Sequence, residues 1–196
     1  MVSYFGEPNE RIKDNSLKLK AYYKLFLDKM KKNSGVSCWH YSKYESLAMW
    51  KIYSIAKEGI AIKTTSKLLM ESLEPRESNY KFIGGKVDYI NYNENPISLD
   101  QLFSALMHKD ICYKHETEFR LICYQVKNPN GKGMDPEDLC EIDADGHVLP
   151  LKYKRMIMEV VVSPYSASWF YNLVHQIVKD KYCLEIPIKK SEILIN

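Results

Sequence analysis

The sequence predicts an α+β fold: a single domain with a mixed central sheet and flanking amphipathic helices. Three observations carry that prediction. Apolar residues recur with a helical period in several segments and with a period of two in others. These segments follow one another without the strict strand–helix–strand alternation of a parallel α/β protein. At 196 residues the chain suits one domain with a substantial core. The expected organisation is an N-terminal arm and basic helix over 1–35, then a core domain over 36–196.

The first helix is expected over residues 13–32. Leu19, Tyr22, Tyr23, Phe26 and Met30 fall at i, i+3, i+4, i+7 and i+11, one apolar stripe. Lys13, Lys18, Lys20, Lys24, Lys29, Lys31 and Lys32 cover the rest, which reads as a solvated face before it reads as a phosphate-binding one. Asn33-Ser34-Gly35 ends the helix, because glycine tolerates the left-handed cap. Val36 to His40 is a short strand. Ser42 and Glu45 have the spacing of a capping box, which starts the next helix there. On its wheel Tyr44, Ala48, Ile52 and Ile55 share an aliphatic side, with Trp50 and Tyr53 on an aromatic one. Gly59 closes the helix, and Ile60-Ala61-Ile62 is a strand of buried type.

One of Thr64, Thr65 and Ser66 caps a third helix carrying Leu68, Leu69 and Leu73, and Glu74-Pro75 stops it. Phe82 to Tyr92 reads as a strand bent at Gly84-Gly85. Ser98 and Gln101 cap a helix through Leu99, Leu102, Phe103, Leu106 and Met107. His115 to Val126 alternates as a strand, with Glu116, Glu118, Arg120, Ile122 and Tyr124 on one face. Residues 127–150 form an irregular insert. Met156 to Val162 is apolar on both sides except at Glu159, the pattern of a central strand. Phe170, Leu173, Val174, Ile177 and Val178 mark a final helix, and Leu184 to Ile188 a last strand.

Composition bounds the function classes. Hydrophobic content of 45% and charge of 27% are ordinary for a globular protein. No run approaches the roughly 18 apolar residues of a bilayer span, so no membrane partner is expected, and the start lacks a secretory pattern. Cys38, Cys112, Cys123, Cys140 and Cys183 are odd in number and unpatterned, as reduced thiols in a cytoplasm would be. A net charge of +3 does not argue for nucleic acid and leaves that partner open.

The sharpest chemical signal is E-x-E-x-R at Glu116, Glu118 and Arg120. Period-two geometry places all three on one strand face. The two carboxylates raise each other's pKa while the guanidinium lowers both. Such a group can hold a cation, bind ribose hydroxyls or stabilise an oxocarbenium-like centre, and its plainer reading is an exposed strand face of alternating charge. Trp39, His40, Trp50 and Tyr53 form a second group, flat rings suited to stacking on a base, nicotinamide or peptide, although tryptophans are more often simply core. Glu45 is accounted for by capping alone.

Other motifs fail on spacing. Cys38-x-His40 and Cys112-x-x-His115 lack the ligand pattern of a zinc site. Glu141-x-Asp143-x-Asp145-Gly146 resembles a calcium loop, but Lys152 occupies the position of the bidentate carboxylate. Asn130-Gly131-Lys132-Gly133 is not a P-loop. A metal-dependent nuclease on Glu116 and Glu118 ranks lowest, because the usual lysine is replaced by Arg120.

One set of residues carries a family resemblance. Ser37-Cys38-Trp39-His40, Glu45-Ser46 with Met49-Trp50 and Tyr53, Gly59-Ile60-Ala61-Ile62, and Lys109 ahead of His115-Glu116-x-Glu118-x-Arg120 resemble the bacterial and phage domain of unknown function 2971 family. Val161-Val162-Ser163-Pro164 and Ser191-Glu192-Ile193 sit where that family has a strand-to-proline turn and a closing strand. The resemblance covers roughly 36–195 and implies a bacterial or mobile-element setting with a defence or toxin role. Members begin with a strand and an aspartate–proline loop. Against that pattern Tyr4 to Glu10 is expected to be at best a shortened remnant, and if the missing start supplies one wall of the pocket, an incomplete or inactive version is expected.

Two functions follow. The first is a nucleotide-handling enzyme, with NAD as the suggested cofactor, in the manner of ADP-ribosyl transfer. Glu118 would stabilise the ribosyl cation and Glu116 orient the acceptor, with Arg120 beside them. Trp39, His40, Trp50 and Tyr53, with Lys109, would hold the ligand. The second is a non-enzymatic module that recognises a protein or nucleic-acid partner through the lysine-rich helix.

Overall fold

The computed structural model describes residues 10–54, 57–73, 79–95, 103–128, 130, 136–140 and 148–194. The N-terminal Tyr4–Asn9, Ile55, Glu74-Pro75, the Ser98/Gln101 capping box, the glycines of 131–133 and the acidic run 141–146 lie outside them. Helix α1 (Glu10–Asn33) leads into strand β1 (Ser34–His40). Then come α2 (Leu47–Tyr53), β2 (Ile60–Lys63), α3 (Ser66–Ser72), β3 (Tyr80–Lys86) and β4 (Asp88–Ile90). After α4 (Ser104–Met107) and β5 (His108–Asp110), a 3-10 helix (Ile111–Glu116) precedes β6 (Glu118–Gln125). Last are α5 (Tyr153–Met156), β7 (Glu159–Val162), α6 (Ser168–Gln176), a π-helical turn (Ile177–Lys181) and β8 (Ile188–Lys190). The α+β class predicted from the sequence is the class observed. No helix among the described residues is long and apolar enough to cross a membrane.

The chain divides into two compact units, each made of three stretches. The first comprises Met1–Ser37, Arg76–Asp110 and Arg120–His147, and the second Cys38–Pro75, Ile111–Phe119 and Val148–Asn196.

The first unit holds α1 and most of a sheet ordered β1-β6-β3, with Cys38 to His40 of β1 and Glu118 and Phe119 of β6 belonging to the second unit. Its core is Phe26, Met30, Phe103, Ile122, Tyr124, Val126 and Leu139. Leu121 to Tyr124 are buried on both faces of β6, as befits the middle strand. Only the C-terminal half of the expected stripe on α1 reaches this core. Phe26 and Met30 are buried, whereas Leu19 and Tyr22 stay exposed. β3 ends at Lys86 and β4 starts at Asp88, so the break falls at Val87 rather than at Gly84-Gly85. A Cβ on Gly85 would stand 3.2 Å from Met107 Cε, so this glycine serves close packing and not a bend. β4 and β5 pair in parallel from Asp88↔His108 to Ile90↔Asp110.

The second unit holds a mixed sheet ordered β2-β7-β8. β7 is central, antiparallel to β2 and parallel to β8. Val160 and Val162 pack beneath Val174, Val178 and Leu184, which α6 and the segment after it bring over one face. β2 is an edge strand, and Ile60 and Ile62 are exposed, contrary to the buried type expected from three apolar residues in a row. Glu159 stands on the other face between Lys63 at 3.3 Å and Lys189 at 2.9 Å. The last strand begins at Ile188, where the sequence pattern predicted it to end.

Candidate functional site

Thr117 is the hinge of the site. It has φ 40°, a left-handed backbone that a β-branched residue rarely adopts. The expected strand over 115–126 therefore does not exist as one piece. Residues 111–116 coil as a 3-10 helix and β6 starts at Glu118. Alternation does not run through Thr117, so the E-x-E-x-R face expected from period two is corrected at its first member. Glu118 and Arg120 keep strand spacing; Glu116 is placed by the helix instead. Both carboxylates end up buried, each 6% exposed.

The end of β1 holds this hinge in place. The Tyr41 backbone N–H donates to the Thr117 carbonyl at 2.8 Å. His40 Nδ1 lies 2.6 Å from the Glu116 carbonyl oxygen and 3.1 Å from Thr117 Oγ1. A carbonyl has no proton to give, so the ring proton sits on Nδ1. The rings of Tyr41 and Phe119 stack beside this contact with centroids 6.2 Å apart and planes at 28°. His40, Tyr41, Glu116, Thr117, Glu118 and Phe119 thus form one constellation, all within the second unit.

The aromatic group predicted from sequence is dispersed around it. Trp39 and His40 are consecutive in β1, so their side chains leave opposite faces and cannot line one platform together. Trp39 is half-buried. Trp50 is buried, while Tyr53 is exposed. The expected capping box is also corrected. α2 begins four residues later, capped by Ser46, whose hydroxyl accepts from Met49 N–H. Ser42 instead accepts from Tyr44 N–H at 3.0 Å in a local turn. Both serines are competent caps, and local spacing did not distinguish them. The shorter helix turns Trp50 inward and leaves Tyr44 and Ile52 exposed, so the aliphatic side is not the buried one.

Glu45, freed from capping, clasps the closing segment. Its carboxylate accepts from Trp50 Nε1 at 3.0 Å and from Glu192 N–H at 3.2 Å. Partial burial pushes this carboxyl up, but hydrogen bonds from Ser191, Trp50 and Glu192 outweigh it and hold it below its ordinary value. With its N–H engaged and its ring buried, Trp50 is a structural anchor.

Arg120 and Lys109 fall in the first unit. Arg120 donates to the Leu106 carbonyl, and Lys109 lies opposite Tyr89 in the β4–β5 pair. Among the described residues no group of three or more His, Cys, Asp and Glu side chains is arranged to hold a metal ion.

Sequence reasoning missed Tyr41, Thr117 and Phe119, and assigned Glu45 to the wrong task. Thr117 carried no signal, because β-branched residues favour extended backbone. Glu45 and Trp50 are five apart, outside the helical spacings that mark contacting pairs. Carboxylates and an oriented imidazole are groups that can bind a cationic centre, orient a hydroxyl and move a proton. No family model, no curated protein and no solved structure matches the chain.

Proposed function

We propose that this chain is an enzyme that opens the glycosidic bond of a nucleotide such as NAD, in the manner of ADP-ribosyl transfer. The sequence resemblance to the domain of unknown function 2971 family supports a bacterial or phage defence or toxin setting for this reading. One observation carries the reading: two buried carboxylates flank a strained residue that is fastened to a histidine ring. In a glycosidic-bond enzyme a carboxylate held at the site stabilises the positive charge that develops on the sugar in the transition state.

Glu118 stabilises the ribosyl cation, and Glu116 orients the incoming hydroxyl. The stacked Tyr41–Phe119 pair offers a flat surface to the base. The catalytic role of Arg120 and the ligand contact of Lys109 are not needed for this reading. Nicotinamide release from NAD tests it. The wild-type protein should release nicotinamide, and Glu118→Gln should fold with an unchanged thermal midpoint and lose at least a hundredfold in rate. Calorimetry showing no NAD binding removes the proposal.

A second reading has its own support. Leu17, Leu19, Tyr22 and Leu25 on α1 are exposed among the lysines, an apolar and basic surface suited to a protein or nucleic-acid partner. Lysine-to-glutamate changes over residues 18–32 that leave every captured partner unchanged would exclude it.

A further inference from the structure

We propose that His40 is the general base of this site, its Nε2 taking the proton of the water or hydroxyl that attacks the sugar. This deepens the nucleotide reading and rests on it. Two groups fix the ring. The Glu116 carbonyl accepts from Nδ1–H at 2.6 Å, and Thr117 Oγ1 stands 3.1 Å from the same nitrogen. In the neutral ring the lone pair is then on Nε2.

That second nitrogen is the unusual one. Nε2 is buried and has no hydrogen-bond partner among the described residues. A buried polar atom without a partner is destabilising, and such atoms in native proteins call for a reason. A ligand hydroxyl or water donating to Nε2 provides one. Thr117 supplies the other half of the argument. Its left-handed backbone at φ 40° is strained, and that backbone is what presents the Glu116 carbonyl and the Thr117 hydroxyl to one nitrogen. Strain kept at a place where it orients an imidazole is strain with a use. The neighbouring Tyr41 and Thr117 are exposed, so the ring lies close to the protein surface.

The step balances without a further reactant. The C1′–N bond breaks and neutral nicotinamide leaves with the bonding pair. The oxygen of water, or of an acceptor hydroxyl, forms the new bond to C1′. Its proton passes to Nε2 and from there to solvent. Glu118 takes no proton in the step and stabilises the cationic carbon.

The test uses the intact protein labelled with ¹⁵N. Long-range ¹H–¹⁵N spectra should show Nδ1 protonated and Nε2 bare, and Nε2 should shift when NAD is added. A proton on Nε2 in the neutral ring overturns the proposal. NAD that binds but leaves the Nε2 resonance unmoved also overturns it, while leaving the nucleotide reading standing. NAD that does not bind removes that reading and with it the reaction assigned to His40. His40→Asn keeps an amide donor where Nδ1 was and deletes Nε2. With an unchanged thermal midpoint, it should release nicotinamide about a hundred- to ten-thousandfold more slowly. Full activity in that variant overturns the assignment.

Discussion

Replacing Glu45 by alanine isolates the cost of orphaning one buried indole N–H. The carboxylate accepts from Trp50 Nε1 at 3.0 Å, from the Glu192 backbone N–H at 3.2 Å and from the Ser191 hydroxyl. These bonds do not weigh equally. Glu45 and Glu192 are exposed, so water replaces that bond at almost no cost. Trp50 is only 7% exposed, and its N–H would be left without an acceptor. Such a loss costs about 1–3 kcal/mol. The expected destabilisation is therefore about 2 kcal/mol, read as a lower urea midpoint at constant m. Trp50→Phe made in the Glu45→Ala background removes the orphaned donor. The double variant should therefore cost about 1–2 kcal/mol less than the sum of the singles. The pH dependence has a definite sign. A carboxyl held below its ordinary value of 4.5 stabilises the fold fully above that pH. Its contribution is lost as pH falls through the lowered folded-state value, and the coupling should fade over that range. Additivity of the two substitutions at neutral pH would refute the assignment of Trp50 as an anchor held by Glu45.

The two remaining predictions concern the first unit and the thiols. Ile122 is fully buried among Met30, Tyr124 and Leu139, so Ile122→Ala should cost about 2–5 kcal/mol by denaturant unfolding; a loss below about 1 kcal/mol would contradict its placement in that core. Burial pushes the Cys123 thiol up to about 11, whereas Cys38, Cys112 and Cys183 are exposed. At pH 8 a thiol reagent should label those three first, with Cys123 following only on unfolding; equal labelling rates by peptide mass mapping would contradict this.

The α+β class was legible because periodicity reports burial, and burial is what organises the chain. Central β7 and the second half of α1 follow directly from their apolar patterns. Edges and ends were harder to read. Ile60-Ala61-Ile62 has the composition of an inner strand, yet lies at a sheet edge, because composition does not say which neighbours a strand will have. Ser42 and Ser46 are equivalent as caps until Glu45 is drawn off by Trp50 and Glu192, partners that lie in another turn and at the far end of the chain. The same limit applies to the site. Glu116, Glu118 and His40 stand out as residue types. What joins them is the left-handed Thr117, held from 77 residues away by His40 and from β1's end by the Tyr41 amide. Long-range contacts of that kind impose a backbone that local preference opposes.

The most direct measurement of the central claim is an NAD titration of labelled protein followed residue by residue. If residues 38–41 and 116–119 form one ligand site, their amide resonances should move together and saturate at one ligand concentration. Movement confined to the lysine-rich α1, or no movement at any concentration, would contradict the account.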